Sequence, residues 1–219
     1  MILGLDPSLR NFGWVLLDSA GSFLDKGMMS TTPKMMFLDR YIYLREGLGE
    51  IVRKIKADYP SETLRVGIES PIFNDLYSEG MYGLFLYSNE ALMTERVDTV
   101  YLSPNQVKAH AHSHLGRPKG WKMQKADMVE AARSATKGQG ATRWNHHQAD
   151  AYWVGRTALR FWEVVEEKVD ISQLSPLERR HFTDLEKYVR GKKAGSVKRK
   201  GLIHKEDDRW FRWSEKSES

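Results

Sequence analysis

The sequence predicts an α/β fold built on a mixed five-stranded sheet with helices packed against it. Two observations carry this. The first thirty residues hold short apolar runs separated by turn chemistry, which reads as an antiparallel meander. Strand-length apolar runs then alternate with stretches of helical periodicity as far as about residue 168. Strands that come first together and then alternate with helices imply three antiparallel strands followed by parallel ones.

Each element has its own signal. Ile2–Asp6 is a short apolar strand ending in an acid, Phe12–Leu17 a second strand and Ser22–Ser30 a third, with breaks near Asn11 and at Ala20-Gly21. Thr31-Thr32-Pro33 reads as a helix start, a hydroxyl cap before proline. Leu38, Tyr41, Leu44, Leu48, Ile51 and Ile55 follow at helical spacing. Leu64–Ile68 is a fourth strand, ending at Glu69. Gly80–Arg96 is apolar enough for a buried helix, Thr99–Leu102 is a fifth strand, and Ser103-Pro104 opens another capped helix. Lys122–Ser134 and Gln148–Lys168 are two further helical segments, joined through a glycine-rich loop at Thr136–Arg143. Residues 1–170 thus form one α/β domain. Residues 171–219 are expected to be a helical and basic extension, partly disordered: Ser175–Arg190 reads as one polar helix, and Lys187–Lys200 carries seven Lys and Arg residues and no acid.

Composition narrows the function. A hydrophobic fraction of 41% in 219 residues supports a sizeable core. No run approaches the roughly 18 apolar residues of a membrane span, and the first residues read as a strand rather than a secretion signal, so a cytoplasmic protein is expected. With no cysteine, disulfides, iron–sulfur clusters and thiolate zinc sites are excluded. Any metal must sit on oxygen and imidazole ligands, which suits Mg²⁺ or Mn²⁺. The net charge of +5 favours a polyanionic partner, and the basic run in the tail reads as a non-specific grip on phosphates.

Four residues form the candidate chemical centre. Asp6 terminates the first strand and Glu69 the fourth; a carboxylate at the end of an apolar strand is costly unless it is exposed at the sheet edge or paired. If those strands are parallel neighbours, both acids emerge at one end, and like charges so placed need a cation between them. His147 and Asp150, three residues apart, share one face of a helix, and the small residues Ala149 and Ala151 let that helix approach a sheet. Taken singly, each residue has an ordinary structural reading: Asp6 as a turn aspartate, Glu69 as a surface ion-pair partner, Asp150 as a polar helix position, His147 as a hydrogen-bonded histidine. Their conjunction points to a metal site.

The ordered motifs resemble those of RuvC-type Holliday junction resolvases, nucleases of the RNase H-like superfamily. Ile2-Leu3-Gly4-Leu5-Asp6-Pro7-Ser8, with Gly13 and an apolar strand after it, looks like the opening of that family. Ile68-Glu69 followed by Phe73 is similar to its second acidic motif. His147-Gln148-Ala149-Asp150-Ala151 is similar to its closing motif, where an Asp or His precedes an Asp by three. Lys125-Ala126-Asp127-Met128-Val129 and Val107-Lys108 look like its basic positions. The likeness spans about residues 1–168. The segment after Glu69, the His- and Gly-rich stretch from His110 to Met123 and the tail depart from the family pattern, and suggest a phage-encoded member.

The resemblance implies an RNase H-like fold and an endonuclease that makes paired symmetric nicks in four-way DNA junctions with two divalent ions, Mg²⁺ or Mn²⁺, held by Asp6, Glu69, His147 and Asp150. It also implies a two-fold homodimer, matching the symmetry of the junction, for which Gly80–Arg96 offers either a dimer face or plain core. Lys108, Lys122 and Lys125 are candidate phosphate contacts, against a reading as solvated helix faces. Phe73 is a candidate wedge between bases, against core packing. Trp121, in a basic loop, is a candidate for stacking on a base, against packing on the protein. His110 and His114 have a spacing compatible with zinc but no intervening Glu, and His110, His112 and His114 read instead as a solvated helix face near DNA. Other readings are a nuclease of the same fold acting on flap DNA or RNA–DNA hybrids, or a non-catalytic junction-binding module. An ATP-binding fold of the actin and sugar-kinase type opens similarly but needs two such subdomains, for which the chain is too short.

Overall fold

A computed structural model describes residues 1–70, 78–166, 168–174 and 176, together with the strand backbones at 188–190, 197–199, 203–206 and 209–212. Five strands form the sheet: β1 (Ile2–Asp6), β2 (Asn11–Leu17), β3 (Phe23–Ser30), β4 (Arg65–Glu69) and β5 (Asp98–Leu102). Five helices accompany them: α1 (Phe37–Asp58), α2 (Ser78–Thr94), α3 (Pro104–Leu115), α4 (Lys125–Ala135) and α5 (His146–Val165). Spatial order is β3-β2-β1-β4-β5, with β1–β2 and β2–β3 antiparallel and β1–β4 and β4–β5 parallel. The expected architecture, three antiparallel strands and then parallel ones, is therefore present. The chain divides into two compact units, Met1–Leu159 and Arg160–Ser219.

Alternation along the strands separates two layers. Leu3, Leu5, Val66 and Ile68 point to one face, where they share a buried cluster with Leu44, Leu48, Val52 and Ile55 of α1 and Leu84 and Leu92 of α2. Each such side chain contributes roughly 1.5–3 kcal/mol by leaving water. The opposite face of β1 and β4 carries glycines. A Cβ on Gly4 would run into the backbone of Ala151 and Gly155, and one on Gly67 would meet the Ala158 side chain and the Val154 carbonyl. Helix α5 therefore lies directly on this face, closer than any larger residue would allow.

Several boundaries depart from expectation. Helix α1 begins at Phe37, not at Thr31-Thr32-Pro33. The Thr31 backbone continues the strand pairing by donating to the Arg10 carbonyl at 3.0 Å, and its hydroxyl donates to the Leu9 carbonyl. That hydroxyl is thus engaged elsewhere and does not cap the helix. Helix α4 starts at Lys125 rather than Lys122, because Asp127 accepts from the Gln124 amide at 2.8 Å and sets the cap there. Helix α5 starts at His146 rather than Gln148, since Asn145 Oδ1 accepts from the Gln148 amide at 2.9 Å.

In the second unit, Tyr188–Arg190 is a strand where the end of a polar helix was expected. It pairs antiparallel with Val197–Arg199, and Ile203–Glu206 pairs with Arg209–Arg212. Alternating β-branched or aromatic and basic residues favour extended backbone over a helix here, and Gly191 and Gly195 lie between the first two strands.

Candidate active site

Parallel pairing of β1 with β4 brings the two strand-terminal acids to the same end of the sheet. Leu5 is in register with Ile68, so Asp6 and Glu69 come next on adjacent strands. The face they share follows from the period of two: Asp6 lies two residues beyond Gly4, and Glu69 two beyond Gly67, so both carboxylates project on the α5 side. Gly13, opposite Asp6 on β2, completes the seat. A Cβ there would stand 2.5 Å from the His147 carbonyl oxygen, so Gly13 lets the first turn of α5 settle over the end of β1.

That first turn delivers the remaining candidates. His147 Nδ1 lies 2.8 Å from Asp6 Oδ2, and both side chains are mostly buried. Asp150, one turn further along α5, faces the same acids. Burial raises the Glu69 carboxyl to a pKa of about 8, with the charges of Asp6 and Asp150 adding to the rise and Lys108 opposing it. Burial likewise raises Asp150 to about 7, with Asp6 adding and Lys108, His147 and Lys125 opposing. Three carboxyls crowded into a poorly solvated niche cannot all ionise cheaply; the arrangement favours protons or a cation between them. Among the described residues, no three acid or histidine side chains stand within direct ligating reach of a single point. As a donor set, three carboxylates and an imidazole with no thiolate fit a hard divalent cation.

The basic candidates separate. Lys108 on α3 and Lys125 at the start of α4 both act electrostatically on Asp150, and Lys108 also on Glu69, so these two border the site. Lys122 is exposed, and no interaction ties it to the acids. Phe73 lies outside the described residues.

Trp121 is half exposed, but its indole N–H donates to Asp127 Oδ2 at 3.2 Å and the Arg117 guanidinium sits 5.4 Å from its ring. Arg117 also reaches Glu130 at 2.5 Å and Asp127 at 3.5 Å. The loop is thus clamped to the start of α4, where the Gln124 amide, followed by the Trp121 indole and Arg117, holds Asp127 below the usual carboxylate range.

The histidines of α3 divide: His112 is buried and His110 partly so, whereas His114 is exposed, as expected of a solvated face. His110 Nδ1 lies 3.1 Å from the Thr157 hydroxyl, His112 is buried with Nε2 3.1 Å from the Pro118 carbonyl, and the His114 ring lies 5.2 Å from that of Trp153. His110 and His112 pack α3 against α5 and against the loop that follows α3. The inward turn of His110 and His112 leaves no mark in the sequence, because histidine carries no burial preference strong enough to reveal an inward face.

His146 was not anticipated. Its ring lies 4.1 Å from that of His147 and it forms one wall of an open cleft of about 640 Å³ beside the acids. Two adjacent histidines at a helix start were the available signal, and only the second fell into a motif.

No family model matches the chain. Over 58 residues, 25% of its length, the chain is 36% identical to the crossover junction endodeoxyribonuclease RuvC of Nitrobacter hamburgensis. It is 37% identical over 60 residues to the RuvC of Caulobacter vibrioides. These stretches span about a third of the relatives' own length, 34% and 36%. The solved structure of Thermus thermophilus RuvC in complex with a Holliday junction substrate superposes over 74% of this chain and 94% of that one, with a TM-score of 0.54 and 16% identity. The fold is that of RuvC. The sheet order, the antiparallel-then-parallel pairing and the five helices are accordingly RNase H-like. The RuvC likeness in sequence, over about a third of the relatives' length, and the likeness in fold concern the same protein.

Proposed function

We propose that the protein is an endonuclease that resolves four-way DNA junctions by paired symmetric nicks, with Asp6, Glu69, Asp150 and His147 as its active site. The observation that supports this best is the meeting of Asp6, Glu69 and Asp150 at one end of the sheet, with His147 on Asp6. These four residues would hold two divalent ions, Mg²⁺ or Mn²⁺, which when bound supply Lewis acidity toward a phosphoryl oxygen and a water acidic enough to attack at neutral pH.

The chain's own groups account for the rest. Asp6 accepts a hydrogen bond from His147 Nδ1, which fixes the imidazole plane and leaves Nε2 as the nitrogen that would take an ion. Glu69 and Asp150 hold protons near neutral pH and release them when a cation takes their place. Lys108 and Lys125 offset the acids' field and offer phosphate contacts, so that a polyanion can approach a negative centre. Two copies are needed for paired nicks. Helix α2 offers a face for this: Leu84 and Leu92 are core, whereas Tyr82, Leu86 and Met93 are exposed. Homodimerisation through that face fits the two-fold symmetry of a junction.

A labelled four-way junction, incubated in Mg²⁺ with the intact protein and with Asp6→Asn, tests the reading. Symmetric nicks that fall at least about a hundredfold in the variant, with junction binding kept, are expected. Cutting of flaps or RNA–DNA hybrids but not junctions would overturn the substrate. Binding without cutting in either Mg²⁺ or Mn²⁺ would make the protein a junction-binding module.

A further inference from the structure

Resting on the nuclease reading above, the cleft beside the acidic centre has a chemistry of its own. It lies between α4 and the start of α5, and Lys125, Ala126, Val129, Arg133, Trp144 and His146 line it. Its volume of about 640 Å³ falls within the roughly 300–1,000 Å³ of small-ligand sites. His146 and Lys125 connect it to the centre: one neighbours His147 in sequence and in ring contact, and the other acts on Asp150.

Three features define what the cleft can take. Its two cations are exposed, and among the described residues neither Lys125 nor Arg133 forms an ion pair; the one acid of the lining, Glu130, is held by Arg117 at 2.5 Å. A third cation lies beyond. Lys26, on the edge strand β3, sits 4.2 Å over the Trp144 ring and donates to the Thr142 and Arg143 carbonyls at 2.6 and 3.1 Å. Its pKa is lowered, first by burial and then by the nearby charge of Arg133. Between the cations the floor is apolar, made by Ala126, Val129 and Trp144. A row of unpaired cations over an apolar floor, leading away from a phosphodiester-cutting centre, matches a sugar–phosphate strand better than a small metabolite or a peptide. The positive end of the α5 dipole adds to the pull on an anion there.

We propose that this cleft is a strand-binding subsite that holds the nucleotide adjoining the cut phosphodiester, its phosphates on Lys125 and Arg133 and its sugar and base on the apolar floor. Arg133 is the residue on which this turns, because it lies outside every motif that marks the acidic centre.

The test is binding of a labelled four-way junction and of a short fluorescein-labelled oligothymidylate in EDTA, by anisotropy, across a salt series. Intact protein, Arg133→Gln, Arg133→Lys and the control Lys54→Gln, on the exposed side of α1, are compared. Arg133→Gln is expected to weaken both ligands about tenfold and to reduce the slope of log K on log salt by about 1, with Arg133→Lys restoring most of each. Arg133→Gln equal to Lys54→Gln, while the intact protein binds and cuts, overturns the subsite and leaves the nuclease reading standing. An Arg133-dependent affinity in a protein that cuts no DNA upholds strand binding in the cleft and overturns both the nuclease reading and the placement of the strand beside a cut. Failure of the intact protein to bind either ligand overturns both. Equal loss with an acidic peptide as the probe would assign the cleft to a protein partner and overturn the strand.

Discussion

At the scale of single residues, the acidic centre is a cluster whose protonation and fold stability are linked. Glu69 and Asp150 have pKa values raised to about 8 and about 7, above their ordinary 4.5 and 3.8. The folded state therefore binds these protons more tightly than the unfolded chain, and the stability they confer is complete below about pH 4 and is lost as pH rises through 7 and 8. Thermal melts in EDTA should show Tm falling between pH 5.5 and 8.5. Glu69→Gln, which cannot ionise, should flatten that fall and raise Tm at pH 8.5 by a few degrees, on the order of 1 kcal/mol. A Tm that rises with pH, or a Glu69→Gln variant less stable than the intact protein at pH 8.5, would show that the carboxyls do not crowd one another. Adding Mg²⁺ at pH 8.5 should raise Tm of the intact protein and do less for the variant. Much of this centre was legible in the sequence, because Asp6 and Glu69 each end an apolar run and His147 and Asp150 fall three apart. His146 and Arg133 were not legible. Neither breaks a local pattern, and their significance comes from where α4 and α5 pass each other.

At the scale of elements, the position of α5 depends on glycines in the strands beneath it. Gly4, Gly13 and Gly67 leave no room for a Cβ under that helix, so each fixes the height from which His147 and Asp150 reach the acids. Gly13→Ala is expected to lift the first turn of α5. The overpacking should cost about 1–3 kcal/mol, several degrees of Tm, and cut nuclease activity by far more than that loss of folded protein accounts for. Gly49→Ala makes the contrast: it sits inside α1, where the nearest neighbour is the flexible end of Arg53, and alanine is the better helix former there. It should leave activity unchanged and Tm equal or higher. Equal outcomes for the two alanines in activity assays would refute the seat. The same elements show where sequence reading succeeds and stops. The antiparallel and then parallel pairing followed from apolar runs and the spacing between them, whereas the neighbourhood of β1 and β4 is fixed by the fold. The start of α1 did not, because the hydroxyl of Thr31 was already committed to Leu9, a partner twenty-two residues earlier. Nor did the inward face of α3, because packing of His110 on α5 depends on Thr157 and Trp153, far along the chain.

At the scale of the whole molecule, a net charge of +5 coexists with a cluster of three carboxyls near its working surface. Lysines and arginines supply attraction for a polyanion, and the acids oppose it wherever a phosphate must come close. Affinity and cutting should therefore respond in opposite directions to one change. In EDTA at pH 8.5, where the acids are ionised, Glu69→Gln and Asp150→Asn should bind a four-way junction more tightly than the intact protein, by roughly two- to fivefold for each charge removed. Both variants should cut far more slowly in Mg²⁺. Lowering the pH to 5.5 protonates Glu69 and Asp150 in the intact protein, so the affinity gap should close there. Ca²⁺ at pH 8.5 should close it as well, because a cation between the carboxylates screens them from the phosphate. A gap of the same size at both pH values would trace the tighter binding to some other consequence of the substitutions. Weaker binding by either variant would mean that these carboxyls accept hydrogen bonds from the junction directly, and that the repulsion inferred from their crowding does not reach the DNA.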